Sequence, residues 1–198
     1  FVEDAERKGE EEEWFNCFPK NAEKMFVPSC WNMTFGKLEY FGIAWYEREI
    51  DITSKNSLLE FEGALSYAKV WLDGEYLGDH YGGYTSFAFK LTNMEIGIHT
   101  LTVMVDNSAD DTTLPSDVAD WYRYGGIIRD VKLHSLGNTY ISSMHISYEL
   151  SEKNDSARVF VKANVSSLIG ERQENITLNF DGKEIAKKTI TLGDENAV

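Results

Sequence analysis

A chain of 198 residues is long enough for one large or two small domains, and with 42% hydrophobic and 13% aromatic residues it can bury enough apolar surface to offset its ordering entropy. A formal net charge of -14 leaves no basic stripe to neutralise phosphates, which argues against nucleic acid and anionic membrane as partners. No apolar run reaches transmembrane length, and no basic start followed by an apolar centre marks a signal peptide.

In chain order, the first feature is the run Glu10-Glu11-Glu12-Glu13, read as a solvated loop rather than an acidic recognition tail. Cys17 and Cys30 are close enough in sequence for one disulfide, too few for a disulfide scaffold, and do not fix the compartment. The chain begins at Phe1 without an initiator Met, so a leader removed earlier is compatible with it, and cytoplasmic, periplasmic and secreted locations stay open. Helical periodicity is almost absent. Short segments rich in Val, Ile, Tyr, Phe and Trp instead recur between Gly, Asn and Asp clusters, an all-β signature.

The predicted strands are Met25-Val27, Ala44-Ile52, Leu58-Glu62, Tyr67-Leu72, Glu75-Leu77, Tyr84-Leu91, His99-Asp106, Ile127-Ser135, Tyr140-Leu150, Arg158-Ser166, Asn175-Phe180 and Glu184-Leu192. Leu101, Val103 and Val105 alternate with Thr100, Thr102 and Met104, and Val159, Val161, Ala163 and Val165 stand against Arg158, Lys162 and Asn164, so each strand is expected to bury one face. Asp73-Gly74 and Asp181-Gly182 suit two-residue type I′ turns, which predicts hairpins over Lys69-Leu77 and Ile176-Ile190.

A polar excursion from Ser108 to Asp117 is too long for an ordinary hairpin, and long ordered loops on a β scaffold are often functional. A second break at Leu136-Gly137-Asn138 places the domain boundary, giving residues 1–138 as a jelly-roll β-sandwich and 139–198 as an immunoglobulin-like β-sandwich. The second part holds four predicted strands, against about seven in a complete immunoglobulin-type domain. It is therefore expected to be cut short at Val198.

A series of motifs carries a family resemblance: Val27-Pro28-Ser29-Cys30-Trp31-Asn32, Gly42-Ile43-Ala44-Trp45-Tyr46-Glu47-Arg48, Leu59-Glu60-Phe61-Glu62-Gly63, Ala68-Lys69-Val70-Trp71-Leu72-Asp73-Gly74, Gly82-Gly83-Tyr84-Thr85-Ser86-Phe87, Val105-Asp106-Asn107 and Asp120-Trp121-Tyr122-Arg123-Tyr124-Gly125-Gly126-Ile127. Each block alone is weak, but their order and spacing are specific. The chain resembles the family 2 glycoside hydrolases, which include β-galactosidases, β-glucuronidases and β-mannosidases. The resemblance implies a jelly-roll domain, an immunoglobulin-like domain and then a (β/α)8 barrel that carries the chemistry. Gly63, Gly78, Gly82, Gly83, Gly125 and Gly126 are read as strand-end turn residues, and Trp45, Trp71 and Phe87 as core between two sheets.

The segment Asp120-Trp121-Tyr122-Arg123-Tyr124 ends the excursion with aromatics, an acid and a base crowded together, a composition suited to binding a saccharide. The alternative is a loop anchor, with Trp121 and Tyr122 in the core and Asp120 bonded to backbone or to Arg123. The resemblance implies that Asp120 reaches a substrate hydroxyl in the barrel's active site, as the matching Asp does in β-galactosidases and β-glucuronidases. Tyr124-Gly125-Gly126-Ile127 is closer to the glucuronidase Tyr-Ala-Gly-Ile than to the galactosidase version.

Retaining glycosidases need two carboxylates about 5–5.5 Å apart, and in the family both are barrel glutamates, one of them in an Asn-Glu dipeptide. No Asn-Glu dipeptide and no alternating βα pattern occurs here, so the chain is expected to lack the catalytic pair and to be inactive alone. His80, His99, His134 and His145 lack zinc-site spacing, and neither a nucleophile elbow nor a phosphate loop is present, so no metal or cofactor is implied. The sequons at Asn32, Asn154, Asn164 and Asn175 are given no weight. The expected role is a non-catalytic part of a retaining exo-β-glycosidase that shapes the active-site rim, with a β-glycoside as ligand and room for a homo-oligomeric parent. A self-sufficient carbohydrate-binding module and a β-sandwich cell-surface interaction protein are the alternatives.

Overall fold

The computed structural model describes residues 1–34, 36–108 and 122–193. The fold is all-β, a jelly-roll β-sandwich followed by immunoglobulin-like strand pairs. Strands run β1 (Val2–Asp4), β2 (Ile43–Ile52), β3 (Ser57–Phe61), β4 (Ala64–Leu65), β5 (Tyr67–Leu72), β6 (Glu75–Tyr81), β7 (Phe87–Leu91), β8 (Gly97–Asp106), β9 (Gly126–Ile127), β10 (Val131–Ser135), β11 (Thr139–Leu150), β12 (Ala157–Ser167), β13 (Arg172–Phe180) and β14 (Lys183–Leu192). The one helical element among the described residues is a 3-10 turn at Trp31–Met33, and no helix is long and apolar enough to cross a membrane. The chain divides into two compact units, Phe1–Ser135 and Leu136–Val198.

In the first unit a five-stranded sheet, ordered β1-β2-β8-β5-β6, faces a three-stranded sheet, β10-β3-β7. Both contribute to one core: Ala44, Val70, Val103 and Val105 from the larger sheet meet Leu59, Phe61 and Leu91 from the smaller. Burying such a side chain is worth roughly 1.5–3 kcal/mol. The Asp73-Gly74 and Asp181-Gly182 turns form as expected, with φ of 51° and 80° in the first and 49° and 74° in the second.

The structure corrects several expectations. Strand β8 is buried on both faces, because Thr102 and Met104 lie under a second cluster of Val2, Trp14, Ile43, Trp45 and Trp71. The N-terminal segment supplies that cover: Trp14 meets Trp45 edge-on and Phe15 stacks on Trp71. Trp45 and Trp71 are thus core residues of this outer layer, not of the space between the sheets. The glutamates of the acidic run are exposed, yet Glu10 pairs with Lys69 at 2.6 Å and Glu12 accepts the Trp14 indole N–H at 3.0 Å.

Residues 25–27 form no strand, since Phe26 points into solvent and their backbone joins no ladder. The predicted Tyr84-Leu91 strand starts only at Phe87, after a turn in which the Thr85 N–H bonds the Gly82 carbonyl. The predicted Ile127-Ser135 strand breaks into β9 and β10 where the Ile128 and Arg129 N–H groups converge on the Gly63 carbonyl. Gly78 lies inside β6, not at its end, in a bulged register where a Cβ would approach the Phe89 ring to 2.8 Å. The short β1 and β4 carry no alternation that the sequence could display.

In the second unit β11 pairs with β12 and β13 with β14. The Val159 and Val161 face of β12, expected to be buried, is exposed, because no described element packs on it.

Candidate functional site

Three of the motif blocks converge on the segment 122–125. Asn32, in the 3-10 turn, is 1% exposed; its Oδ1 accepts the Gly125 N–H at 2.7 Å and its Nδ2 donates to the carbonyls of Leu38 and Tyr40 at 3.1 and 3.0 Å. The Trp31 N–H donates to the Gly125 carbonyl at 2.9 Å. From the end of β8, Asn107 accepts the Gly42 N–H at 2.8 Å and donates to the Arg123 carbonyl at 3.4 Å. Buried main-chain groups left unpaired would each cost about 1–3 kcal/mol, so these two asparagines fix the path of the segment.

Gly125 and Gly126 make that path sterically accessible. A Cβ on Gly125 would fall 2.1 Å from the Trp31 indole. Gly126 has φ of 134°, which L side chains rarely adopt, and a Cβ there would lie 2.5 Å from the Ser29 carbonyl oxygen. The Ser29 N–H in turn bonds the Ile127 carbonyl at 2.8 Å, while β9 itself pairs with β4.

The side chains that leave this anchor point outward. Tyr122 and Tyr124 are each 38% exposed, with ring centroids 4.9 Å apart. Phe41 lies 5.6 Å from Tyr122, and the Arg123 guanidinium sits 5.1 Å over the Phe41 ring. The result is a surface cluster of three aromatic rings and one cation, whose C–H-attracting faces and N–H donors match the apolar and hydroxyl parts of a sugar. Tyr122 is therefore not in the core. Asp120 and Trp121 lie outside the described residues. The sequence reading missed Asn32, Asn107 and Phe41 as parts of this arrangement, although the first two stand in the motif blocks Trp31-Asn32 and Asp106-Asn107.

The remaining candidates are structural or separate. Cys17 and Cys30 are both free, and half-burial pushes the Cys30 thiol up. His134 pairs with Glu60 at 2.8 Å, His80 bonds Thr85 at 2.8 Å and His99 binds Asp73 at 2.5 Å. Among the described residues no group of three or more His, Cys, Asp or Glu side chains comes together. A recess of about 400 Å³ in the second unit is lined by Asn138, Tyr140, Arg172 and Glu174, whose charges pair with each other at 2.6 Å.

The profile described as "Glycosyl hydrolases family 2, sugar binding domain" matches residues 38–137, which hold every strand of the first sandwich except β1. The chain belongs to glycoside hydrolase family 2. It is 30% identical over 168 residues to a β-galactosidase of Thermoanaerobacter pseudethanolicus, covering 79% of this chain and 20% of that protein. It is 31% identical over 156 residues to a β-glucuronidase of Bacteroides fragilis, covering 71% and 22%. A crystal structure of a GH2 β-galacturonidase from Eisenbergiella tayi bound to galacturonate superposes with TM-score 0.80 at 32% identity, covering 88% of this chain and 31% of that one. The chain thus spans about a fifth of the curated relatives' length.

Proposed function

We propose that this chain is the non-catalytic sugar-binding part of a retaining exo-β-glycosidase of the β-glucuronidase or β-galactosidase type, where it supports a catalytic (β/α)8 barrel and forms the rim of its active site. The observation that carries this is the anchored Tyr122–Tyr124 segment, held by Asn32 and Asn107 with its aromatic and cationic side chains presented to solvent. Asp120, next to that segment in sequence, is the group we assign to a hydroxyl of the β-glycoside, with Trp121, Tyr122, Arg123 and Tyr124 shaping the surroundings. Galacturonate in the Eisenbergiella enzyme, a relative at 32% identity, supports a saccharide ligand for this one. The catalytic carboxylates belong to the barrel, since no Asn-Glu dipeptide occurs in these 198 residues.

Two measurements test the assignment. The purified chain is expected to hydrolyse none of the nitrophenyl β-glucuronide, β-galactoside and β-mannoside substrates, and turnover that survives repurification overturns this. In the barrel-containing protein Asp120→Ala is expected to lower kcat/KM by roughly 10- to 150-fold, the equivalent of a charge-assisted hydrogen bond of about 1.5–3 kcal/mol, with little change in Tm. A large fall in Tm with normal kinetics per folded molecule would instead make Asp120 a loop anchor.

A further inference from the structure

The N-terminal segment covers the outer face of the five-stranded sheet over Trp45 and Trp71, and the face continues beyond it onto the edge strand β6. There the register places Tyr81 opposite Tyr67, Asp79 opposite Lys69 and Tyr76 opposite Trp71. Directly opposed residues share a face, so three tyrosines and a carboxylate lie together on the side away from the core between the sheets.

These side chains are held before any ligand arrives. Tyr67, half-buried, stacks on Tyr81 with centroids 4.1 Å apart and planes 26° from parallel. The Lys69 ammonium lies 6.0 Å from the Tyr67 ring and is fixed by Glu10. Tyr81 remains 70% exposed, with one ring face on Tyr67 and the rest open to water. Asp79 accepts the Tyr76 hydroxyl at 3.0 Å, and burial together with the Asp79 carboxylate nearby pushes the Tyr67 phenol up from its ordinary value. Desolvation first, and then the neighbouring carboxylate, push the Tyr76 phenol up to about 12, so it stays protonated and Asp79 stays an acceptor.

An ionised carboxylate has about four acceptor sites, which leaves Asp79 free to take further donors beside the Tyr81 ring. An aromatic face offers its negative quadrupole to the C–H side of a pyranose, and a fixed carboxylate offers charge-assisted bonds to that ring's hydroxyls. Because both groups are already ordered, the entropy cost of binding is reduced. The surrounding charge selects among sugars: Asp79 and Glu75 on the same strand and a net charge of -14 oppose an anionic ring.

We propose that Tyr81 and Asp79, backed by Tyr67 and Tyr76, form a binding site for an uncharged sugar ring on the edge of the first sandwich. The site uses no residue of the 120–124 segment, so either assignment can fail without the other.

The test is a titration of the isotopically labelled 198-residue chain by lactose and, in parallel, by sodium glucuronate at matched ionic strength, read from backbone amide shifts. Lactose is expected to move the amides of residues 76–81 with a dissociation constant on the order of 1–10 mM, as befits one ring contact and a few hydrogen bonds. Tyr81→Ala is expected to weaken binding at least ~10-fold, Asp79→Asn several-fold, and Tyr81→Phe little, since the ring face survives. The exposed position of Tyr81 means that each variant keeps the parent's Tm, which is measured alongside. Amides of residues 76–81 unmoved by lactose, lactose shifts that persist in Tyr81→Ala, or a glucuronate response as large as that to lactose would each overturn the proposal.

Discussion

Asn32 uses both ends of its amide on main chain, accepting from Gly125 and donating to Leu38 and Tyr40, while 1% exposed. Asn32→Ala removes that acceptor and donor together and leaves their buried partners unpaired, at about 1–3 kcal/mol for each group not reached by water. The expected result is a fall in Tm of several degrees or more, on the scale of about 2–4 °C per kcal/mol for a chain of this size. Asn32→Asp, which keeps an acceptor for Gly125 but turns a carboxylate oxygen toward two carbonyls, is expected to be no better than Ala; thermal unfolding of both variants checks this, and a Tm within a degree of the parent would refute the anchoring role. In the sequence Asn32 reads as a sequon, and nothing in its neighbours reveals that it is buried. Its partner Gly125 is 93 residues away, and only the motif series, in which Trp31-Asn32 and Gly125-Gly126 recur at set spacing, hints that the two belong together.

At the scale of the element, turns and long strands were legible because their causes are local. The hairpin of β5 and β6 follows from Asp73-Gly74, whose residues tolerate positive φ, and β2 and β8 follow from β-branched and aromatic alternation. What alternation cannot show is a second cover. Met104 and Thr102 look like the wet face of β8, but the irregular N-terminal segment packs over them with Trp14 and Phe15, and such a segment has no period to read. A titration separates local from distant causes at the Asp73 turn. His99 Nδ1 binds Asp73 at 2.5 Å and Nε2 lies 2.8 Å from the Glu95 carbonyl, so both ring nitrogens can donate and the imidazolium is favoured; the hydrogen bond to Asp73 is the main cause that raises its pKa. A raised folded-state pKa gives stability that is fully present below the unfolded value of about 6.5 and lost as pH rises through the folded value. Nuclear magnetic resonance is expected to find His99 titrating above about 6.5, and Asp73→Asn to bring it back down, while Asn-Gly preserves the turn. An unshifted His99 in the parent chain would remove the pair from the account.

For the whole molecule, the two units bury their strands unequally. The first has a core on each face of its larger sheet. In the second, register aligns Met144, Ile146, Tyr148 and Leu150 of β11 with Ala163, Val161, Val159 and Ala157 of β12, one continuous apolar face whose large members are exposed. Alternation in β12 correctly marked which residues share that face, but alternation reports sidedness, not whether anything lies on it. Contiguous exposed apolar faces are where hydrophobic ligands dock, and here Met144, Ile146, Tyr148, Leu150, Val159 and Val161 are all exposed on one face, so the 198-residue chain is expected to bind a hydrophobic dye such as anilinonaphthalene sulfonate while fully folded. Ile146→Lys with Val159→Glu places opposite charges on diagonal neighbours of the ladder, which avoids like-charge repulsion while breaking the patch. Dye fluorescence is expected to fall by about half or more with the melting of the first unit unchanged, because no residue of its cores is touched. The converse variant, Leu59→Ala in the core of the first unit, is expected to cost about 2–5 kcal/mol there and leave native-state dye binding as it was. Should the double variant bind dye as strongly as the parent, the signal does not come from this face, and the β11–β12 pair must be covered in solution.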